Sequence, residues 1–255
     1  MSDILNTLLS IAMIFAPTLG YFDQIRMIVK KKTSLGFNSV TCAILLFSNI
    51  LRIFFWLGKR FDMTLLFQSI AMITAMLLLL YTVIRYKPIA SFNPLTRVDS
   101  SSSISFIEDE DIIEVDNQKS SFWAWDHFLD YFNCLLAYTT LIALLYLIFH
   151  QYNAFIEALG FLSLGIESTL PVPQILTNLK HKNVDGFSWV ILASWFLGDG
   201  FKAFYFLYTQ SPIQFVVCAI LQLSFDTIIV GQFLIYSSPI LKKWLGIQDN
   251  YESIA

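Results

Sequence analysis

The chain has 255 residues, of which 56% are hydrophobic and only 14% are charged, and its mean hydropathy is +0.63. Soluble domains carry about a quarter charged residues, so this composition excludes an ordinary soluble domain. The net charge of −3 comes without a basic face, which argues against nucleic acid as a partner. The three cysteines lie in or beside apolar runs and predict no disulfide framework.

Charged residues gather in connecting stretches and leave apolar runs of about 20 residues, long enough to cross hydrocarbon as helices. No Lys or Arg precedes the first run, which therefore reads as a membrane helix rather than a secretory signal peptide. Seven helices are predicted, at about 4–28, 40–57, 64–84, 130–149, 155–179, 189–208 and 213–236.

Between the third and fourth helices, residues 86–121 are rich in serine and acidic residues and have few large apolar ones, which predicts a disordered loop. Residues 122–150 form an interfacial segment and a linker helix, and 237–255 form a tail. The loops after helices one, three and five, and the tail, carry most of the Lys and Arg. The positive-inside rule then predicts a cytosolic tail and a lumenal N-terminus, with Lys59 and Arg60 as the opposing signal.

Residues 1–85 and 151–236 are predicted to be two copies of one three-helix unit. At an offset of 150 residues, 24–54 and 174–204 share nine identities, Asn49 falls on Asp199, and Arg52 falls on Lys202. A single connecting helix gives both copies the same orientation. The expected fold is an all-α membrane protein of two parallel three-helix repeats joined by helix four, with these four polar side chains meeting near the midplane.

Pro171 and Pro173 interrupt the fifth helix, because proline lacks the N–H that continues the helical ladder. They should free the carbonyl groups of Glu167 and Thr169, which in lipid need partners or water. The break is either a hinge for alternating access or a static kink.

Several ionisable groups lie within the predicted spans, where an isolated charge is costly. Asp199 stands between two glycines, three residues before Lys202; it is either a proton-linked or ligand-binding site, or a structural partner of Lys202 or Arg52. Arg52 requires an acidic partner at its depth. For Glu167 and Asp226, a structural hydrogen bond and a transport role are both open.

Pro173-Gln174, followed by a basic loop, Gly186-Phe187 and Asp199, resembles the motif of the PQ-loop family. That family includes cystinosin, lysosomal cationic amino-acid exporters and, more distantly, SWEET sugar transporters and the KDEL receptor. Longer stretches, such as 49–56 and 198–202, are similar to the branch of PQ-loop repeat-containing protein 1. The first copy departs from the motif, with Asp23-Gln24 in place of Pro-Gln and its helix breakers earlier, at Pro17 and Gly20.

The resemblance implies a protein of endosome and trans-Golgi membranes, with lysosome as an alternative, that scrambles phospholipid, opposes aminophospholipid flippases and affects endosome-to-Golgi traffic. A proton-coupled exporter of a small solute and a trafficking receptor or scaffold are the other functions considered. Short strings fit sorting signals read by adaptor proteins: Tyr251 with Ile254, and Glu108 with Ile112 and Ile113. No catalytic constellation, metal cluster or cofactor motif is visible, so we expect no enzyme activity.

Overall fold

The computed structural model describes residues 2–34, 37–87, 123, 125–181 and 189–237. In those ranges the chain forms eight α-helices, and helices suit a membrane because they satisfy their backbone hydrogen bonds within the segment. In chain order the helices are α1 (Ser2–Lys31), α2 (Val40–Lys59), α3 (Met63–Arg85), α4 (Phe128–Phe149), α5 (Asn153–Ser168), α6 (Val172–His181), α7 (Trp189–Tyr208) and α8 (Ile213–Ser237).

Six segments of the described chain are long and apolar enough to cross a membrane, and the α5–α6 stretch Asn153–Lys180 counts as one of them. The expected all-α, multi-pass membrane architecture is confirmed. The 20-residue helix α7 carries Asp199 and Lys202 in its interior.

The third helix of each three-helix unit packs between the other two. α3 packs along both α1 and α2, and α8 packs along α5, α6 and α7. The linker helix α4 contacts α2 and α3. The two units therefore share one internal order, and they meet along two seams, one between α2 and α5 and one between α1 and α7.

Both units begin at the same side of the bundle, which we call the start face because α1 begins there. Lys59, at the end of α2, forms an ion pair with Glu157, near the start of α5. Tyr208, at the end of α7, donates a hydrogen bond from its Oη to Oδ1 of Asn6, near the start of α1, at 3.0 Å. α1 and α5 therefore run in the same direction, as parallel repeats require.

A tight turn at the start face joins α2 to α3. Arg60 adopts a left-handed backbone conformation (φ 48°), and its N–H donates to the Trp56 carbonyl oxygen at 2.8 Å, which ends α2. Asp62 then caps α3, because its Oδ1 accepts the N–H of Thr64 at 3.0 Å. The turn places the carboxyl group of Asp62 at the end of the bundle, where α7 also ends.

The fifth predicted span is divided into α5 and α6 by a turn that contains Pro171. Its missing N–H and its ring prevent the helix from continuing. The carbonyl groups of Glu167 and Thr169, which we expected to be free, instead accept the N–H groups of Leu170 and Val172 at 3.2 and 3.0 Å. The turn satisfies these acceptors itself, so the break is stable without water.

The first copy does not repeat this break. Pro173 lies in the first turn of α6, where an N–H group would have no acceptor within the helix, so proline is tolerated there. Pro17, in contrast, lies inside α1, which continues as helix through both Pro17 and Gly20. A hinge in the first copy would therefore have to work within an unbroken helix, and the discontinuity belongs to the second copy.

The segment before α4 is anchored to the first unit by a tryptophan. Trp123 is 1% exposed and packs against Phe47 and Tyr131, with ring centroids 5.3 and 5.0 Å apart. The Ser39 hydroxyl donates to the Trp123 carbonyl oxygen at 3.1 Å. Trp123 is thus enclosed by protein instead of facing lipid headgroups. The limits predicted for the two repeats, the loop and the tail stay predictions.

Candidate functional site

Five ionisable side chains from α2, α5, α7 and α8 meet inside the bundle: Arg52, Glu167, Asp199, Lys202 and Asp226. We call this group the charged cluster. Arg52 forms an ion pair with Glu167, and their side chains are only 4% and 13% exposed. This pair joins the first unit to the second across the α2–α5 seam, and it gives Arg52 the acidic partner that its depth in the bundle demands.

The second pair of the cluster lies on one face of α7. Lys202 Nζ is 2.9 Å from Asp199 Oδ1, as their spacing of three residues predicts. The Lys202 ammonium group also interacts with Glu167 and Arg52. Asp226 on α8 interacts electrostatically with the carboxyl group of Asp199. The two ion pairs and Asp226 therefore form one connected group.

Asn49 was also expected at this site, but its side chain makes hydrogen bonds only within α2. It is 1% exposed, lies one turn before Arg52, and donates from Nδ2 to the Leu45 carbonyl oxygen at 2.8 Å. Its Oδ1 has no hydrogen-bond partner. The structure thus unites Arg52, Asp199 and Lys202, while Asn49 contributes a buried, unsatisfied acceptor near them.

The charged cluster contains more acids than bases. Three carboxyl groups face two cationic groups, which leaves one negative charge when all five are ionised. An uncompensated charge in a membrane interior is costly, so a proton, a cation or the positive part of a ligand must balance it. The cluster can therefore accept a group that carries positive charge.

A cavity of about 20 Å³, measured as the volume open to the centre of a water molecule, lies beside the cluster. About 10–15 Å³ on that measure holds one water molecule, so the cavity has room for one or two. Its walls include Arg52, Gln68, Glu167, Lys202, Cys218 and Gln222. The site is closed in this conformation and cannot hold a lipid headgroup or an amino acid until the helices separate.

Gln68 on α3 is a site residue that the sequence reasoning missed. Its side chain is 3% exposed, and its Oε1 has no hydrogen-bond partner. Nε of Arg52, a donor in the wall of the same cavity, is also without a partner. A glutamine inside an apolar run was the available signal, since buried polar groups in spans require partners.

The α2–α5 seam that carries Arg52 is tightly packed through glycines. A Cβ atom at Gly58 would lie 2.6 Å from Cδ1 of Ile156, and one at Gly160 would lie 2.7 Å from Cζ of Phe55. Real Cβ atoms do not approach other atoms this closely, so a larger residue at either position would force the neighbouring side chain to move. The seam is therefore a fixed contact between the two units.

Comparison with known proteins agrees with this architecture. A family model described as "PQ loop repeat" matches residues 155–215, which span α5 to the start of α8. Scramblase ANY1 of Saccharomyces cerevisiae (strain ATCC 204508 / S288c) is 30% identical over 291 aligned positions that cover 92% of this chain and 71% of that protein. The chain belongs to the PQ-loop repeat family.

A hydrogen-bond network that includes the glutamine of the PQ-loop motif anchors α6 to α8. Gln174 Nε2 donates to Asn178 Oδ1 at 2.7 Å, and Asn178 Nδ2 donates to Gln232 Oε1 at 3.0 Å. Gln232 Nε2 closes the network on the Ile175 carbonyl oxygen at 3.1 Å. In the first copy, Gln24 is half-buried in α1. The network holds the short helix that follows the break, and Asn178 and Gln232 were not expected from the sequence.

Some expected residues lie outside the ranges that the structure describes. They are Gly186 and Phe187 of the motif and the sorting residues Glu108, Ile112, Ile113, Tyr251 and Ile254. Among the described residues, no group of three or more His, Cys, Asp or Glu is placed to hold a metal ion.

Proposed function

We propose that this PQ-loop protein moves phospholipid between the two leaflets of a membrane, as a scramblase. The observation that carries the proposal is the similarity to a protein named as a scramblase, which extends over 92% of this chain. Scrambling consumes no chemical energy and breaks no bond, so we also propose that the chain is not an enzyme.

The charged cluster suits the polar end of a phospholipid. Arg52 and Lys202 are donors of the kind that bind phosphate, and Asp199 and Asp226 are acceptors for an ammonium group. A headgroup that crosses hydrocarbon unaided loses its hydration, and a polar lining lowers that cost. The closed cavity means that transport requires a second conformation in which the helices part.

The cellular setting is part of the proposal. We place the protein in endosomal and trans-Golgi membranes, with a lumenal N-terminus and a cytosolic tail, where it would oppose aminophospholipid flippases and meet adaptor proteins. The support is the family resemblance and the distribution of basic residues, such as Lys30 and Lys31 at the end of α1.

The direct test uses the full chain purified into liposomes with a trace of fluorescent phospholipid. A membrane-impermeant quencher bleaches only outer-leaflet probe, so a scramblase makes nearly all of the probe accessible without ATP. Arg52→Met/Glu167→Gln, which removes both charges of one pair, should slow the movement. Vesicles that bleach only to the level of protein-free controls would contradict the proposal.

A proton-coupled solute exporter is the second candidate, and the electrostatic interaction between the Asp199 and Asp226 carboxyl groups favours it. Two adjacent carboxyl groups can share a proton, and the excess acid in the cluster requires a positive partner. The discriminating result is solute flux that follows a pH gradient and is lost in Asp199→Asn, with no movement of fluorescent lipid.

A further inference from the structure

The two seams between the units are copies of one interface with different chemistry. The offset of 150 residues places Tyr208 on Gly58 and Asn6 on Ile156. Both pairs are in contact, Gly58 against the Ile156 side chain and Tyr208 through its hydrogen bond to Asn6. The internal symmetry of the sequence is therefore present in the structure, at the α2–α5 seam and again at the α1–α7 seam.

A second matched pair lies one turn deeper. The same offset places Tyr205 on Phe55 and Ser10 on Gly160. The Phe55 ring packs against Gly160, whereas the Tyr205 hydroxyl lies near the Ser10 hydroxyl. At both depths the α2–α5 seam presents apolar atoms, and at both depths the α1–α7 seam presents hydrogen-bonding groups.

The start of α3 adds further polar groups to the α1–α7 seam. Tyr205 Oη donates to Asp62 Oδ2 at 2.9 Å, and Thr64 Oγ1 donates to Ser10 Oγ at 3.3 Å. Tyr205 is only 2% exposed, so these hydroxyl groups lie within the protein rather than on its outer surface. The result is a connected set of donors and acceptors that begins at the start face.

These groups lead to the charged cluster along α7. The polar members of α7 are Asp199, Lys202, Tyr205 and Tyr208, and each step of three residues turns by about 60°, so they follow a spiral around the helix. Nine residues of helix rise about 14 Å, which is about half the thickness of the hydrocarbon core. The matched positions of α2 are polar only at the inner end, with Asn49 and Arg52 followed by Phe55 and Gly58.

We propose that the α1–α7 seam is the path by which a phospholipid headgroup passes between the start face and the charged cluster. The inference rests on the scramblase function proposed above and assigns the route to one of two candidate seams. Hydroxyl groups and the Asp62 carboxylate can replace the hydration of a zwitterionic headgroup, since together they offer donors and acceptors.

The outer surfaces of both helices suit the acyl chains that would trail behind the headgroup. Phe15 and Leu19 on α1 are 54% and 63% exposed, and Leu197 on α7 is 70% exposed. The seam is also the one that can open, because α1 and α7 pack much less extensively than α2 and α5 do. The fatty chains can therefore remain in lipid while the headgroup follows the polar side chains of α7.

A cross-linking experiment distinguishes the two seams. Asn6→Cys/Tyr208→Cys, joined by a short bis-maleimide, ties α1 to α7 at the start face. Lys59→Cys/Glu157→Cys is the matched control, because those side chains also meet at the start face and tie α2 to α5. Both are made with Cys134→Ser, since Cys42 and Cys218 are buried and out of reach of the reagent.

Lipid movement in liposomes should fall to the protein-free background when α1 and α7 are linked and stay unchanged when α2 and α5 are linked. A linked α1–α7 pair that scrambles as fast as its unlinked form overturns the proposed path. If the wild-type protein itself moves no lipid in the same vesicles, the proposed function fails instead, which separates the two outcomes.

A second arm needs no cross-link. Ser10→Ala/Tyr205→Phe removes two hydroxyl groups from the path and should slow scrambling several-fold, with the fold checked by elution and thermal unfolding. Thr140→Val is the control, because its hydroxyl lies on the exposed surface of α4 and donates only to the Leu136 carbonyl oxygen at 2.8 Å. Equal rates in both variants would overturn the path independently of the cross-link.

Discussion

The α2–α5 and α1–α7 seams occupy equivalent places in the two copies, and the structure treats them differently. The α2–α5 seam has two glycines packed directly against a facing side chain, a buried ion pair between Arg52 and Glu167, and extensive helix packing. The α1–α7 seam is short, and hydrogen bonds between hydroxyl, amide and carboxyl groups hold it together.

The difference shows how two equivalent interfaces in a duplicated bundle can have different roles. Tight apolar packing resists separation, because pulling interlocked side chains apart opens voids that lipid must refill. A polar interface loses less when it opens to water or to a headgroup, since the new partners replace its hydrogen bonds. One seam therefore holds the two units together and the other is free to part.

The largest effect is expected from removing the charge of Arg52 alone. Arg52→Met leaves the Glu167 carboxylate buried without its partner, which costs about 3–5 kcal/mol of stability. The measurement is thermal or denaturant unfolding of the purified protein in detergent. Stability equal to that of the wild type would show that the α2–α5 seam does not depend on this pair.

The double variant Arg52→Met/Glu167→Gln is the control for that prediction. It removes both charges, and replacing a whole buried pair is often nearly neutral, so it should recover most of the loss. A double variant as unstable as Arg52→Met would assign the loss to packing rather than to the unpaired charge.

The next largest effect on stability is expected from Gly160→Ala in the α2–α5 seam, compared with Ser10→Ala at the matched position of the α1–α7 seam. Gly160→Ala forces its new Cβ against the Phe55 ring, which is fully buried and cannot swing out, and overpacking of this kind costs about 1–3 kcal/mol. Ser10→Ala, at the matched position of the α1–α7 seam, removes a half-buried hydroxyl and should change stability by less than about 0.5 kcal/mol.

Unfolding of the two variants, side by side in the same detergent, tests this difference directly. Equal losses would mean that the seams are packed alike. Phe55→Leu in the Gly160→Ala background should restore part of the stability, because a smaller side chain makes room for the added methyl group.

The sequence predicted the spans and the duplication, because long apolar runs and a fixed offset are properties of the linear pattern. It also placed the break, since Pro171 cannot continue a helix whatever surrounds it. It did not predict that Glu167 would be the partner of Arg52. That choice depends on how α2 and α5 slide past each other, which Gly58 and Gly160 decide by permitting close approach.

The unequal seams could not be read from the pattern either. The alignment of Tyr205 with Phe55 looks conservative, because both are aromatic. The Tyr205 hydroxyl differs from the Phe55 ring because it donates a hydrogen bond to Asp62, which lies in a turn of the other unit. Gln68 was missed for a similar reason: a lone glutamine carries no motif, and its place in the cavity wall depends on the packing of α3.

A third prediction concerns the anchor that only the second copy has. Asn178→Leu leaves the side chains of Gln174 and Gln232 without their buried partner, which costs about 1–3 kcal/mol. Because α6 packs against α8, hydrogen exchange should rise in α6 before it rises in α2. Uniform loss of protection across both units would show that α6 is not an independent element.

The smallest effect is expected at the Lys59–Glu157 pair, which lies on the tight seam but at its exposed end. The side chains are 35% and 40% exposed, so solvent screens their attraction. A double-mutant cycle with Lys59→Met and Glu157→Gln should give a coupling of about 0.2–1 kcal/mol that declines with added salt. The strength of this seam would then come from Gly58, Gly160 and the buried Arg52. A coupling as large as that of a buried pair would instead show that the Lys59–Glu157 ion pair is the main interaction that holds the two units together.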